Sequence, residues 1–170
     1  ASFDEHIKDF RIEKVPQEAD SKEERYKINA LHKMIDSDKM AEIPLSLESA
    51  GTLKMFALYP ELQRVLEKGS VFVIDELNAR LHPLLVRNFL LTFLNPEINT
   101  NHAQLVFTTH DTWQLSNQLL RRDEIWFVEK KLTGETIIKP MSDFDVKSDQ
   151  DILKAYLNGR FGAIPVIKGV

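Results

Sequence analysis

The segment VFVIDE at residues 71–76 is an unbroken apolar run that ends in two adjacent carboxylates. A continuous apolar run of this length is typical of a strand that is buried on both faces, as in a parallel sheet. A second run, LVFTT at 105–109, has the same character, and helical spacing from Pro83 to Asn95 separates the two. Strand, helix and strand in this order predict a βαβ unit with a right-handed crossover. The expected fold class is therefore α/β, built on a mainly parallel sheet.

The residues before VFVIDE predict a hairpin and a long helix. The runs KINALHKMI and MAEIPL flank turn residues at 36–38, which predicts an antiparallel β-hairpin. Apolar side chains at helical spacing then extend from Gly51 to Lys68. Pro60 is expected to kink this helix or divide it in two, and Gly69 to end it.

Beyond the second strand the pattern changes. EIWFVEK and ETIIKP flank a turn at 132–134 and predict a second hairpin, and residues 149–157 predict a short C-terminal helix. Charge is concentrated in residues 1–26, where EADSKEER at 18–25 is typical of a solvated helix face or a mobile lead-in. The predicted organisation is this lead-in followed by one domain over 27–170.

Composition and charge limit the kinds of protein that this chain can be. The chain has 170 residues, of which 43% are hydrophobic, and this suffices for one sizeable core. The net charge of −4 gives no overall attraction to nucleic acid, and the absence of cysteine excludes disulfides and thiolate chemistry. The polar opening ASFDEHIKDF lacks the apolar stretch of a signal peptide, and no run is long enough to span a membrane. We therefore expect a cytoplasmic protein with no membrane partner.

The adjacent carboxylates Asp75 and Glu76 are the strongest chemical signal in the sequence. A strand that delivers them at its C-terminal end places them where α/β sheets bind ligands. In phosphoryl transfer, the first carboxylate can hold Mg²⁺ and the second can orient or deprotonate the attacking water. The alternative is that a buried strand simply ends in an acidic turn, because apolar runs followed by Asp-Glu are common.

Three further segments occur in a fixed order around this acidic pair. LSLESAGT at 45–52 precedes it, NARLHP at 78–83 follows it, and LVFTTHD at 105–111 comes last. In this order they resemble the signature motif, the D-loop and the switch strand of ABC and SMC-type ATPases. The residues that match the family's functional positions are Ser49, Ala50 and Gly51 in the signature, Asn78 and Ala79 in the D-loop, and the switch histidine His110.

The C-terminal stretch narrows the resemblance. DEIWFVEK, SDFDV and YLNGRFGAIP are similar to the tail of bacterial ABC-like ATPases of the abortive-infection and restriction-associated group, generally described as AAA family ATP-binding proteins. The resemblance extends from about Lys27 to Ile167. It implies a partial P-loop NTPase lobe, ATP and Mg²⁺ as cofactors, and a head-to-head homodimer. It also implies a switch in phage defence or in DNA-related processes, with a nuclease-like effector protein or DNA as a further partner.

Within this resemblance, each matching residue has an implied role. Asp75 would hold Mg²⁺, Glu76 would be the general base, and His110 would sense the γ-phosphate. The other matching residues would act across the dimer interface. The nucleotide of the opposite subunit would be capped by Ser49, Ala50 and Gly51. Communication between the two subunits would involve Asn78 and Ala79. Ala50 departs from the glycine that ABC transporters usually have there.

One element of such an ATPase is not found in the sequence. A phosphate-binding loop needs glycines that let backbone N–H groups approach the phosphates, followed by Lys and Ser or Thr. None of the six glycines opens a G-x-x-x-x-G-K-[ST] motif. We therefore expect that the loop lies upstream in a longer natural chain. Binding of ATP and Mg²⁺ would require that half, and the 170 residues alone would be inactive.

Several alternatives stay open. Ser49 also suits an ordinary helix N-cap, and His110 also suits a polar residue that closes a strand. A non-catalytic, nucleotide-gated interaction module would keep the same shape, although retention of both carboxylates argues against lost hydrolysis. Glu129 with Asp143 and Asp145 faintly resembles the Glu and Asp-x-Asp arrangement of Toprim nucleases, but the glycine expected beside the glutamate is missing.

Overall fold

The computed structural model of the chain describes residues 6–16, 24–35, 37–115, 119–146 and 151–164. The chain divides into two compact units, Ala1–Thr108 and Thr109–Val170. In chain order, the strands and helices are β1 (Ile7–Val15), β2 (Arg25–Lys33), β3 (Met40–Pro44), α1 (Ala50–Lys68), β4 (Val71–Ile74), α2 (Pro83–Leu94), β5 (Gln104–Phe107), β6 (Trp126–Lys130), β7 (Thr136–Pro140) and α3 (Ile152–Leu157).

The first unit begins with an antiparallel sheet of order β1-β2-β3. The pairing of β2 with β3 confirms the predicted hairpin. β1 lies inside the charged stretch 1–26, where the sequence predicts a helix face or a mobile lead-in. It is mostly exposed, so its hydrogen bonds to β2 rather than an apolar pattern make it a strand. Phe10 of β1 contacts Phe56 of α1, with ring centroids 4.7 Å apart. Residues 17–23, which include most of the segment EADSKEER, lie outside the described residues.

α1 is one continuous helix of 19 residues. Ser49 caps its N-terminus, and Gly69 ends it in the left-handed conformation, with φ at 62°, as the sequence predicts. Pro60 lies inside the helix and does not divide it, although a proline removes one backbone N–H bond. Met55 and Leu62, on either side of Pro60, are both buried. Packing along the whole helix offsets the lost bond, because tertiary contacts supply most of the stability of helices in proteins.

β4 and β5 form a parallel pair, and α2 connects them along the chain, which confirms the predicted βαβ order. Phe72 of β4 contacts Phe89 of α2, with ring centroids 6.3 Å apart, so α2 covers one face of the pair. The opposite face is open, with exposed fractions of 53% for Val71, 71% for Val73 and 55% for Val106. The prediction that this strand is buried on both faces is therefore wrong. Among the described residues, those of α2 cover one face of the pair, and the other face is exposed.

The organisation of the sheets also differs from the prediction. The described strands form three small sheets, and among them the β4–β5 pair is the parallel one. The remaining strands follow one another through connections that reverse the chain, and such connections make antiparallel pairs. The chain is thus mixed α/β, and the mainly parallel sheet of the prediction is not found in the described ranges.

The second unit has a small core of its own. β6 and β7 form the hairpin predicted around residues 132–134. α3 follows its N-cap Asp151, while residues 149–150 of the predicted helix lie outside the described part of the chain. The buried members of this core are Ile125, Phe127, Met141, Val146, Ile152, Ala155 and Phe161. In neither unit do the described residues include a helix long and apolar enough to cross a membrane.

Gly69 offers a direct test of how α1 ends. A Cβ at this position would lie 2.2 Å from the backbone oxygen of Asn101, and φ is left-handed. The Asn101 side chain also donates to the carbonyls of Leu66 and Glu67, so this segment is held in place and cannot easily move away. We expect Gly69→Ala to lower the free energy of unfolding by roughly 2–5 kcal/mol, measured by urea unfolding.

Gly134 provides the matched control for this substitution. Its φ is also positive, at 90°, but a Cβ there would meet no atom within 4 Å. Gly134→Ala should cost about 1–2 kcal/mol from the backbone conformation alone. Equal losses at the two glycines would contradict the steric argument.

Candidate functional site

Asp75 and Glu76 directly follow Ile74, the last residue of β4, and both are exposed. The chain then runs through consecutive turns until α2 begins at Pro83. In open α/β sheets, ligands bind outside the carboxyl ends of parallel strands, and these turns lie at such an end. Residues 75–80, called the acidic turn below, are therefore the candidate site.

Thr108, the residue after β5, ties the acidic turn to the neighbouring strand. Its hydroxyl donates to the carboxylate of Asp75 and accepts the backbone N–H of Glu76 at 2.8 Å. Its backbone carbonyl accepts the N–H of Leu77 at 3.0 Å, and its own N–H donates to the carbonyl of Ile74 at 3.1 Å. A single residue thus orients the first carboxylate and fixes the backbone of the second.

Glu76 has a backbone φ of 48°, in the left-handed region that residues other than glycine rarely adopt. Its carbonyl accepts the N–H of Ala79 at 2.9 Å and the ammonium of Lys54 at 2.8 Å. Lys54 also donates to the carbonyl of Leu77 at 3.0 Å. Burial lowers the pKa of Lys54, while the Glu76 carboxylate acts to raise that pKa and Arg80 to lower it. A lysine of α1 therefore holds the peptide that carries the second carboxylate.

The start of α1 approaches the end of the same turn. The Ser49 hydroxyl accepts the N–H of Thr52 at 3.0 Å and lies 2.9 Å from the Thr52 hydroxyl. A Cβ on Gly51 would lie 3.1 Å from the carbonyl oxygen of Arg80, so the glycine allows a close approach. Ser49 and Ala50 are exposed. The structure gives Ser49 the N-cap position of the alternative interpretation, and its contact with a second subunit's nucleotide stays a prediction.

The residues that resemble a D-loop lead from the acidic turn into α2. The carbonyl of Asn78 accepts the N–H of Leu81 at 3.0 Å, and Asn78 and Ala79 are half-buried. His82 caps α2, where its Nδ1 accepts the N–H of Leu84 at 3.2 Å. Local hydrogen bonds thus shape this segment, and communication across a dimer by Asn78 and Ala79 stays a prediction.

His110 lies two residues beyond Thr108, at the beginning of the second unit, and is exposed. The next residue, Asp111, accepts the N–H of Trp113 at 2.9 Å and begins a single 3-10 turn. These are local contacts of the second unit. A role for His110 in sensing a γ-phosphate stays a prediction.

The acidic residues of the Toprim alternative lie in the second unit. Glu129 is on β6 near Gly162, and Asp143 ends a 3-10 turn. Within the described ranges, no group of three His, Cys, Asp or Glu side chains is placed to hold a metal ion. No contact in the described part of the second unit supports the nuclease alternative.

No motif in the sequence predicts two residues of the site, Lys54 and Thr108. Thr108 lies inside a segment that attracts notice for its histidine, although a hydroxyl residue directly after the second strand is a usable signal. Lys54 has no comparable signal, because it is one of five charged residues on an amphipathic helix. Only the packing of α1 against the acidic turn distinguishes it.

Adjacent carboxylates at the carboxyl end of a parallel strand, in a βαβ segment, are compatible with the nucleotide-hydrolysing α/β domains, which hold Mg²⁺ with a carboxylate at such an end. The family model described as "AAA domain, putative AbiEii toxin, Type IV TA system" matches residues 2–113, more than half of the 170-residue chain. The chain belongs to this AAA family, and its domain is of the ATPase, nucleotide-binding type. No curated protein and no solved structure matches the chain.

The family match covers the candidate site but not the C-terminal tail. It includes the acidic turn, the start of α1 and His110, and it ends before the tail that suggested the abortive-infection group. The family description itself names a putative AbiEii toxin. The match supports an AAA, P-loop type of ATPase and does not extend to the ABC-type features.

Proposed function

We propose that this chain is the hydrolysis and dimer-signalling half of an ABC-type ATPase, whose phosphate-binding loop comes from another part of a longer protein. The observation that carries the proposal is the acidic turn. It presents Asp75 and Glu76 at the carboxyl end of β4, where Thr108 and Lys54 hold them. Family membership supplies the ATPase class, and the order of the matching motifs supports the ABC type within it.

Asp75 fits the role of a magnesium ligand. The residue is exposed, and the Thr108 hydroxyl orients its carboxylate. Mg²⁺ in nucleotide sites takes one or two protein carboxylates, because waters and phosphate oxygens complete its coordination. When bound, the ion would neutralise charge that develops on the transferred phosphoryl group.

Glu76 fits the role of the general base. It is exposed, while its N–H and carbonyl are both hydrogen-bonded to residues of neighbouring elements. A base held in this way can activate water in a constant geometry, and a positioned general base contributes about 10²–10⁴-fold to a rate. We assign the γ-phosphate contact to His110, since a histidine can donate a hydrogen bond to a phosphate oxygen.

We assign the contact with the second subunit's nucleotide to the start of α1. Ser49 and Ala50 are exposed at a helix N-terminus, where backbone N–H groups and the helix dipole favour phosphate. Gly51 lies close to Arg80, at the end of the turn that contains Asn78 and Ala79. A homodimer closed around two ATP molecules is the state in which these residues act. A nuclease-like effector or DNA would respond to that state in phage defence.

The open apolar face of the β4–β5 pair supports the proposal that a further segment of the protein covers it. Val71, Val73 and Val106 are each more than half exposed there. Parallel sheets are normally covered on both faces. The phosphate-binding half of the ATPase is the segment that we propose to cover these valines.

Calorimetry with ATP and Mg²⁺ tests this division of the site. The 170 residues alone should bind ATP negligibly, because Asp75 and His110 cannot replace a cradle of backbone donors. The full-length protein should bind ATP, and its variant with the phosphate-loop lysine changed to alanine should bind it more weakly, because the charge is lost while the backbone donors stay. Micromolar binding by the 170 residues alone would contradict the proposal.

A further inference from the structure

Lys54 connects the first turns of α1 to the acidic turn. Its ammonium lies 2.8 Å from the carbonyl oxygen of Glu76 and 3.0 Å from that of Leu77. The side chain is partly buried, and this burial lowers its pKa. Two carbonyl acceptors compensate in part for the water that the ammonium has lost. The contact therefore joins α1, the helix that Ser49 caps, to the peptide that carries the candidate base.

The backbone of Glu76 depends on contacts from outside the turn. Its φ of 48° is unusual for a residue with a side chain, and such conformations persist only when the surroundings hold them. Thr108 binds its N–H and Lys54 binds its carbonyl, each at 2.8 Å, so both peptide groups that flank its Cα are held. Without Lys54, the carbonyl would keep its bond to the N–H of Ala79, which belongs to the turn itself.

We propose that Lys54 is a positioning residue for ATP hydrolysis, which holds Glu76 where its carboxylate can activate the attacking water. The inference rests on the proposed function, in which Glu76 is the general base. A misplacement of about 1 Å can cost on the order of 100-fold in rate. Because Lys54 acts on the backbone of Glu76, its loss should affect the chemical step and not the binding of ATP.

Steady-state kinetics of the full-length protein tests the inference. Lys54→Met should lower kcat by about 10- to 100-fold and leave KM for ATP within about twofold. Lys54→Arg keeps a charged donor and should restore part of kcat. Lys68→Met removes an exposed lysine from the other end of the same helix and should change neither constant.

The outcomes separate this inference from the proposed function. Wild-type kcat in Lys54→Met, beside an inactive Glu76→Gln, would overturn the inference and leave the proposed function standing. Wild-type kcat in Glu76→Gln would overturn both. A loss confined to KM, or no recovery with arginine, would reduce Lys54 to a structural residue. If Lys54→Met does not fold, Lys54→Gln replaces it, with the same kcat-specific loss expected and the same contrary result.

Discussion

Replacing Glu76 by glutamine in the full-length protein is expected to stop ATP hydrolysis while ATP stays bound. Glutamine keeps the size and hydrogen-bonding shape of the side chain but cannot take a proton from water. Turnover should fall by about 10²–10⁴-fold, with nucleotide affinity unchanged. ATP-bound dimer should accumulate, because hydrolysis is the step that would end that state. Turnover, affinity and dimer mass by light scattering are measured on one preparation.

The structure indicates that this substitution changes the carboxylate without disturbing the contacts that hold the turn. The contacts of Glu76 with Thr108 and Lys54 use its backbone N–H and carbonyl, so they survive a change of side chain. Thermal stability should therefore stay near the wild-type value. Glu97→Gln, at an exposed glutamate in the loop after α2, is the matched control and should hydrolyse ATP normally. If Glu76→Gln turns over at the wild-type rate, Glu76 is not the base and the assignment of the acidic pair is wrong.

Replacing Ser49 by arginine is expected to abolish ATP-dependent dimerisation, and hydrolysis with it. Ser49 is exposed at the start of α1, so a long charged side chain there would occupy the space where two subunits meet around a nucleotide. The subunit's own phosphate-binding loop would be untouched, and ATP affinity should stay near normal. Dimer mass with a non-hydrolysable ATP analogue, affinity and turnover are the measurements.

The observed cap makes a second variant necessary. Ser49 accepts the N–H of Thr52, and losing an N-cap of this kind costs about 0.5–2 kcal/mol. Ser49→Ala removes the cap without adding bulk, so it should lose stability but keep more dimerisation than the arginine variant. If the two variants lost dimerisation equally, the loss would be due to the missing helix cap. Normal dimerisation in Ser49→Arg would remove Ser49 from the interface, and loss of ATP binding would place it in its own subunit's site or in the fold.

Prediction from the sequence succeeds where a local signal decides the structure. Gly69 ends α1 and Pro83 begins α2 because each suits that position by its own backbone geometry. The two hairpins follow from alternating patterns around turn residues. It fails for β1, whose polar sequence becomes a strand by pairing with β2. Of the two outcomes expected at Pro60, a kink or a division, the division does not occur, because burial on both sides keeps one helix.

The candidate site divides in the same way. The sequence by itself determined that two carboxylates end an apolar strand, that the segment LSLESAGT at 45–52 precedes them, and that a phosphate-binding motif is absent from these 170 residues. Only the tertiary structure decided that Thr108 orients Asp75 and that Lys54 holds the backbone of Glu76. The physical reason is that such hydrogen bonds join groups more than twenty residues apart in the chain. Their formation depends on how α1 and β5 pack beside β4, which no local pattern encodes.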